Sequence, residues 1–123
     1  AAYAARAREL GITVIHRDEL ATRPLAEIVN QALEVAGSAQ GPIHVDIDVD
    51  VCDRSVAPGC PASVPGGISA FELRHLTRQL ALSPQVESFD ITEIDASADT
   101  SDQRTVRLAA LCVLEMMAGL SLR

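Results

Sequence analysis

Hydrophobic residues recur along the chain with two periods that replace each other in turn. Apolar positions three to four residues apart predict helices that end at Gly11, run from Thr22 to Gly37, from Ser69 to about Leu82, and from Thr100 through Met117. Shorter apolar runs between them predict strands at 12–16, 45–51 and 86–93. Because strands separated by helices build βαβ units, we expect an α/β fold with a parallel sheet flanked by helices in three layers.

Residues at the ends of these segments indicate where the helices begin. Pro24 suits the first turn of a helix that Thr22 caps, and Ser69 with Glu72 has the spacing of a capping box. A second capping box is predicted at 100–103, before the last helix. That last helix is apolar around most of its circumference, which predicts that it packs on two sides.

The middle strand carries acidic residues at alternate positions. Val45, Ile47, Val49 and Val51 are separated by Asp46, Asp48 and Asp50, and Asp53 follows. In a strand this alternation places the three carboxylates on one face. Carboxylates that are clustered and partly buried repel one another and require a compensating cation. Oxygen ligands of this kind suit Mg²⁺, Ca²⁺ or Mn²⁺.

Another acidic residue, Glu93, lies at the end of the last strand. Parallel sheets bind ligands beyond the carboxyl ends of their strands. We therefore expect Asp48 and Asp50, at the end of one strand, to share an edge with Glu93, at the end of another. The stiff segment at 58–67, which is rich in proline and glycine, would form a wall beside them.

Composition narrows the choice of function. All 10 basic residues are arginine, which excludes a P-loop lysine, a Schiff-base lysine and a serine–lysine dyad from this chain. The formal charge of −7 disfavours nucleic acid and anionic membranes as partners and is compatible with a small cationic substrate. Three cysteines without a C-x-x-C spacing, and no signal peptide or membrane-spanning run, predict reduced thiols in a cytoplasmic protein.

The acidic segment and the loop after it resemble a known family. D-x-D-x-x-D at 48–53, A-P-G at 57–59 and P-G-G-I at 65–68 are similar to the motifs of the ureohydrolases, which include arginase, agmatinase and formiminoglutamase. The resemblance runs from about Gly11 to the C-terminus. It implies an arginase-like α/β fold, with 1–123 as the C-terminal part of a single domain. Departures are Arg54 and Ala96 at usual proline positions, and Asp46 where a small hydroxyl residue is more usual.

The resemblance also implies roles for particular residues. Asp48 would bridge two Mn²⁺ ions as a catalytic ligand and Asp50 would bind one of them. Glu93 would receive the guanidinium or amidinium group of the substrate, and Arg54 or Arg104 could meet a substrate carboxylate. The motifs resemble those of formiminoglutamase and agmatinase more than those of arginase, which disfavours arginine as the substrate. Formiminoglutamate carries carboxylates and agmatine does not, and the choice between these two substrates stays open. The intact enzyme would be a homo-oligomer.

Two of the acids have other readings. Asp53 has the position of an Asx-turn residue that accepts hydrogen bonds from loop amides, and we favour that structural role. Asp46 lies deeper in the strand, where support of the metal ligands and a hydrogen bond to the next strand are equally compatible with the sequence.

The family builds its metal site from further segments, G-G-D-H and D-A-H-x-D, and neither occurs in these 123 residues. We therefore expect the chain to be inactive unless it associates with the remainder. One alternative is a non-catalytic domain that binds metal or a partner on an arginase-like fold. A phosphotransferase of the D-x-D type is disfavoured, because the chain has no lysine. An EF-hand beginning at Asp46 fails, because Val51 and Ala57 occupy its required glycine and glutamate positions.

Overall fold

Two parallel strands and four helices make up the computed structural model, which describes residues 2–123. The elements, numbered along the chain, are α1 (Ala2–Glu9), α2 (Leu25–Gly37), β1 (Ile43–Asp48), α3 (Ala70–Ala81), β2 (Val86–Thr92) and α4 (Arg104–Leu120). Short 3₁₀ turns at Arg17–Ala21 and Val49–Val51 complete the regular structure. The predicted order of helices and strands is confirmed from α2 onward.

β1 and β2 pair in parallel, and each contributes one apolar and one polar face. Val45 lies opposite Phe89 and Ile47 opposite Ile91, on the face that meets the core. The opposite face carries Asp46, which is exposed. Residues 2–123 therefore supply helices for one face of the sheet and leave the other open, as an incomplete three-layer fold would.

α3 and α4 pack against each other and form the main layer on this sheet. The side chains at their contact are aliphatic or small, and Leu73 and Cys112 are almost fully buried there. The Cβ of Gly119 would lie 2.6 Å from Ala81, so only glycine lets the two helices approach this closely. Glu115 on α4 ties them further, because its carboxylate accepts hydrogen bonds from arginines of α3.

The predicted strand at 12–16 is wrong. This segment is irregular, and Ile12 and Val14 are 55% and 52% exposed. An isolated strand has no partner for its backbone N–H and C=O groups, and residues 2–123 place no other strand beside it. The segment has the apolar residues of a strand, but residues 2–123 do not supply the neighbouring strand with which it would pair.

The helix ends were predicted with mixed success. Gly11 closes α1 as expected: its φ is +70°, and Ile12 N–H bonds to the carbonyl of Ala7. The capping box of Ser69 and Glu72 is confirmed in both directions. Thr22 is not the cap of α2, which begins at Leu25 with Pro24 in the cap position.

The predicted capping box at 100–103 is also wrong. Gln103 occupies the cap position of α4 with φ +52°, and its side chain makes no capping bond. Asp99, which lies outside the expected motif, caps the helix instead, since its Oδ2 accepts from Val106 N–H at 3.0 Å. The helix was predicted through Met117 and extends to Leu120.

Candidate metal centre

The acidic strand ends earlier than its alternating pattern predicts. β1 stops at Asp48, and the chain turns into a 3₁₀ helix over Val49–Val51. The turn is stabilised by the Asp48 carboxylate, whose Oδ1 accepts from the Asp50 N–H at 2.9 Å. The prediction that Asp46, Asp48 and Asp50 line one strand face is therefore wrong for Asp50, which lies on the turn just past the strand.

Asp48 and Asp50 nevertheless lie close together. The pKa of Asp50 is raised, first by its burial and then by the charge and hydrogen bonding of Asp48. Within residues 2–123 no arginine forms an ion pair with either acid. A carboxylate pair that is partly buried and has no protein counter-charge is the arrangement that a divalent cation stabilises.

The pair is not a complete metal site by itself. In the part of the chain that the structure describes, no group of three or more His, Cys, Asp or Glu side chains is arranged to hold a metal ion. The two carboxylates therefore fit a hard divalent ion in chemistry and charge, and further ligands must come from elsewhere.

Glu93 follows the end of β2 beside this pair. Thr92 is the register partner of Asp48, so Glu93 emerges at the same edge of the sheet, as expected. It is exposed, and its φ of +63° lies in the left-handed region, which is uncommon for a residue with a side chain. Such strained residues concentrate at functional sites, where the rest of the fold holds them in place.

A loop fastened to the backbone after Asp50 forms one wall of this edge. Ile68 N–H donates to the carbonyl of Val51 at 2.9 Å, and Asp53 N–H donates to the carbonyl of Ile68 at 3.0 Å. The approach is so close that a Cβ at Gly67 would lie 2.2 Å from the carbonyl carbon of Cys52. The glycine of this motif is therefore required by packing.

Asp53 holds the same loop through its carboxylate. Its Oδ1 accepts from the N–H and the hydroxyl of Ser55, at 2.9 and 2.6 Å, and its Oδ2 accepts from Gly66 N–H at 2.7 Å. These hydrogen bonds, led by that of the Ser55 hydroxyl, lower the pKa of Asp53 to about 2. The predicted structural role of Asp53 is confirmed.

The arginines proposed for a substrate carboxylate are engaged in the loop. Arg54 Nη1 donates to the carbonyl of Cys60 at 2.9 Å and to Ser63 Oγ at 3.3 Å. Arg104 donates to the carbonyl of Ser55 and contacts Asp102. Both guanidinium groups thus have structural partners, and contact of either with a substrate stays a prediction.

Asp46 accepts a hydrogen bond from the neighbouring strand, which is one of the two roles considered for it from the sequence. Thr92 Oγ1 donates to its Oδ1 at 3.0 Å. Because Thr92 directly precedes Glu93, this bond links β1 to the end of β2 just below the edge. A cavity of about 240 Å³ opens beside Asp46 and Asp48, with an otherwise apolar wall. The wall is lined by Ile47, Val51, Ile68, Leu73 and Leu76.

The three cysteines are free and fully buried in one apolar cluster. Burial, followed by the neighbouring Cys112 and Cys60, raises the pKa of the Cys52 thiol to about 12. A thiol with so high a pKa is protonated at neutral pH and is a poor nucleophile. The structure supports the interpretation of these residues as reduced core thiols.

The sequence interpretation missed the connection between this loop and α4. Gly59 N–H donates to Thr105 Oγ1 at 2.8 Å, and Thr105 Oγ1 donates to Asp99 Oδ1 at 2.9 Å. The carbonyl of Gly59 accepts from Asp95 N–H at 2.8 Å, two residues after Glu93. Thr105 is fully buried, so it fixes the A-P-G turn relative to the segment that carries Glu93. Thr105 is a polar residue on the inner side of an apolar helix, and this position was the signal in the sequence that could have indicated the connection.

Comparison with known proteins gives a consistent result along the whole chain. The family model described as the arginase family matches residues 1–119. Formimidoylglutamase of Bacillus subtilis strain 168 is 33% identical over 121 residues, and its crystal structure superposes with a TM-score of 0.91. Guanidinopropionase of Pseudomonas aeruginosa is 32% identical over 120 residues, covering 94% of this chain and 37% of that protein. A formiminoglutamase of Trypanosoma cruzi with Mn²⁺ is 26% identical, with a TM-score of 0.65 over 76% of this chain and 32% of that one.

These relatives are much longer than the region they share with this chain. The similarity to the Bacillus subtilis protein covers 98% of the 123 residues but only 38% of the relative. In residues 2–123 no helix is both long and apolar enough to cross a membrane.

Proposed function

Because the chain belongs to the arginase family, we propose that it is part of a manganese-dependent hydrolase that cleaves a C–N bond of a small linear amidine or guanidine. The observation that carries this proposal is the pair of Asp48 and Asp50 at one edge of the sheet, next to the strained Glu93. Within residues 2–123 no ion pair compensates the charge of this pair, which suits a hard divalent ion.

Each of the three acids has a separate task in this proposal. Asp48 and Asp50 would hold the metal ions through their carboxylate oxygens. A bound pair of Mn²⁺ ions supplies water with a lowered pKa and stabilises negative charge. Glu93 would bind the planar cation of the substrate, because a carboxylate accepts two N–H bonds from an amidinium or guanidinium group. The positive φ of Glu93 turns the backbone directly after Thr92, the last residue of β2.

The substrate class follows from these groups and from the relatives. A carboxylate at Glu93 recognises the cationic end that formiminoglutamate, agmatine and guanidino acids share. We favour formiminoglutamate or agmatine. Arg54 and Arg104 already bond to loop carbonyls, so a free cation for a substrate carboxylate would come from another part of the protein.

We further propose that the 123 residues are inactive alone, because two carboxylates are too few ligands for a stable metal pair. The intact enzyme would be a cytoplasmic homo-oligomer. The three buried free thiols are compatible with a reducing compartment.

Titration with Mn²⁺ tests the metal assignment on the chain itself. By calorimetry, and by the loss of the free Mn²⁺ signal in electron paramagnetic resonance, we expect weak binding, with a Kd on the order of 0.1–1 mM, as in the weakest oxygen-ligand sites. Asp48→Ala should weaken binding by at least about tenfold. Glu27→Gln, on α2 and outside the site, is the matched control and should bind as the wild type does. Equal affinities for all three proteins would refute the assignment.

A further inference from the structure

Glu93 has a strained backbone although its side chain is exposed. Its φ of +63° lies in the left-handed region, where the Cβ of any residue other than glycine crowds the following carbonyl oxygen. Because the side chain is exposed, packing of Glu93 itself does not hold this conformation. Such a conformation persists only where the surrounding structure fixes it. The contacts that fix it must therefore lie in the chain on either side of Glu93.

The chain before Glu93 is fixed by β1. Thr92 is the register partner of Asp48, and its hydroxyl donates to Asp46 Oδ1 at 3.0 Å. These contacts belong to the sheet and end at Thr92, the last residue of β2. The φ of Glu93 is consequently set by the point at which the chain after it is held.

The chain after Glu93 is held by the A-P-G turn. Asp95 N–H donates to the carbonyl of Gly59 at 2.8 Å, and the N–H of the same glycine donates to Thr105 Oγ1 at 2.8 Å. A Cβ at Gly59 would lie 2.8 Å from the Cβ of Asp99, so the turn packs directly against the segment before α4. Asp95 is thus joined to α4 through a single glycine whose N–H and C=O are both hydrogen-bonded.

Thr105 completes this connection with one buried hydroxyl. Its side chain is 0% exposed, and its Oγ1 accepts from Gly59 N–H and donates to Asp99 Oδ1 at 2.9 Å. Asp99 is held in turn by the N–H of Val106. If a methyl group replaced this hydroxyl, the Gly59 N–H would have no partner in a buried position, which is unfavourable. The turn would move to find another partner for this N–H, and Asp95 would move with it.

We propose that Thr105 is a positioning residue for substrate recognition: through Gly59 and Asp95, its hydroxyl holds Glu93 in the left-handed conformation before the substrate binds. The proposal rests on the proposed function, in which the Glu93 carboxylate binds the amidinium or guanidinium group. A carboxylate that is held in advance does not have to be ordered during binding, so the affinity for the substrate is higher. Asp48 and Asp50 are positioned by β1 and by the hydrogen bond between them, so the Thr105 hydroxyl affects substrate binding more than it affects the acidic pair.

Ile94 offers a competing explanation for the turn. Its side chain is partly buried and packs against the core cluster, and this apolar contact could fix the chain after Glu93 without any hydrogen bond. The two explanations differ in what Thr105→Val does. Valine has nearly the same shape as threonine, so this variant keeps the apolar contacts and removes only the hydroxyl.

The backbone of Glu93 can be measured in the 123-residue chain itself. In the ¹⁵N-labelled protein, the nuclear Overhauser effect between the Hα and the amide proton of Glu93 is strongest when φ is positive. We expect this strong signal in the wild type and in Thr105→Ser, which keeps the hydroxyl, and its loss in Thr105→Val. Thr77→Val is the matched control, because Thr77 is also fully buried but donates within α3, to the carbonyl of Leu73 at 2.8 Å. It should keep the signal.

A Thr105→Val protein that retains the strong signal would overturn the proposal and assign the turn to Ile94. If Thr105→Val does not fold, Thr105→Cys is measured in its place, because a thiol is only a weak donor and acceptor. A weakened signal in that variant would support the proposal, and an unchanged one would contradict it.

Substrate affinity is measured in a chimera in which this chain replaces the matching region of Bacillus subtilis formimidoylglutamase, with Mn²⁺ and formiminoglutamate supplied. Thr105→Val should raise KM by about three- to tenfold and change kcat by less than about twofold, because the lost ordering affects binding of the substrate and of the transition state alike. Thr105→Ser and Thr77→Val should keep both constants within about twofold of the wild type. Equal increases of KM in Thr105→Val and Thr77→Val would show a general loss of stability and refute the positioning role.

The proposed function can fail separately. If Glu93→Gln leaves KM unchanged in an active chimera, Glu93 does not bind the substrate, whereas loss of the Glu93 signal in Thr105→Val would still show that the hydroxyl holds its backbone. If the chimera is inactive, the signal of Glu93 in the 123-residue chain decides whether Thr105 positions it.

Discussion

Substitution of Gly67 by alanine should separate the loop from the backbone that follows the acidic pair. The new Cβ would lie 2.2 Å from the carbonyl carbon of Cys52 and 2.3 Å from the amide nitrogen of Asp53, whereas ordinary contacts begin at 3.4 Å. The loop must therefore move by about 1 Å, which breaks or stretches the bonds that join Ile68 to Val51 and to Asp53. Overpacking against rigid backbone together with the loss of two backbone hydrogen bonds should cost about 3 kcal/mol.

Urea unfolding followed by far-ultraviolet circular dichroism measures this cost, since the chain has no tryptophan. With an m-value of about 1–3 kcal/mol/M for a chain of this size, the midpoint should fall by about 1–3 M. Gly41→Ala is the control, because a Cβ there meets nothing within 4 Å. It should leave the stability unchanged or raise it by about 0.4–1 kcal/mol. A Gly67→Ala midpoint equal to that of the wild type, or an equal loss in both variants, would refute the packing argument.

Three further substitutions test other contacts by the same unfolding assay. Asp53→Asn should lower the urea midpoint. The difference in midpoint from the wild type should narrow as pH falls from about 4 towards 2, because the folded-state pKa of Asp53 is lowered to about 2 and its stabilising charge is lost below that value. A difference that stays constant over this pH range would contradict the role of the charge. Asp99→Ala removes the cap of α4 and should lower the urea midpoint, whereas Asp102→Ala, the surface control, should lower it less. Glu115→Gln leaves two half-exposed guanidinium groups without their carboxylate and should cost about 1–2 kcal/mol. An unchanged urea midpoint would show that this bridge is dispensable.

Features encoded locally could be predicted from the sequence. Gly11 closes α1 and α3 begins after Ser69 as expected, because a left-handed glycine and a capping box act within a few residues. The shared edge of Asp48 and Glu93 was also predictable, since parallel strands bring their carboxyl ends together whatever lies between them.

Features that depend on a partner or on competition between hydrogen bonds were not predictable. Residues 12–16 have a strand-like pattern, but a strand requires a neighbour that residues 2–123 do not supply. Asp50 continues the alternating pattern, yet the Asp48 carboxylate captures its N–H and turns the backbone. Asp99 caps α4 from seven residues before the N–H that it accepts, outside any local motif.

The left-handed backbone at Glu93 has a consequence for attempts to engineer a sturdier protein. A residue with a Cβ in this conformation loses roughly 1–2 kcal/mol compared with the right-handed regions, and glycine would not. Glu93→Gly is thus a mutation that a screen for thermal tolerance would reward, while it deletes the carboxylate that reaches the edge of the sheet. If Glu93 binds the substrate as proposed, selection for stability and selection for turnover would favour different residues at this position.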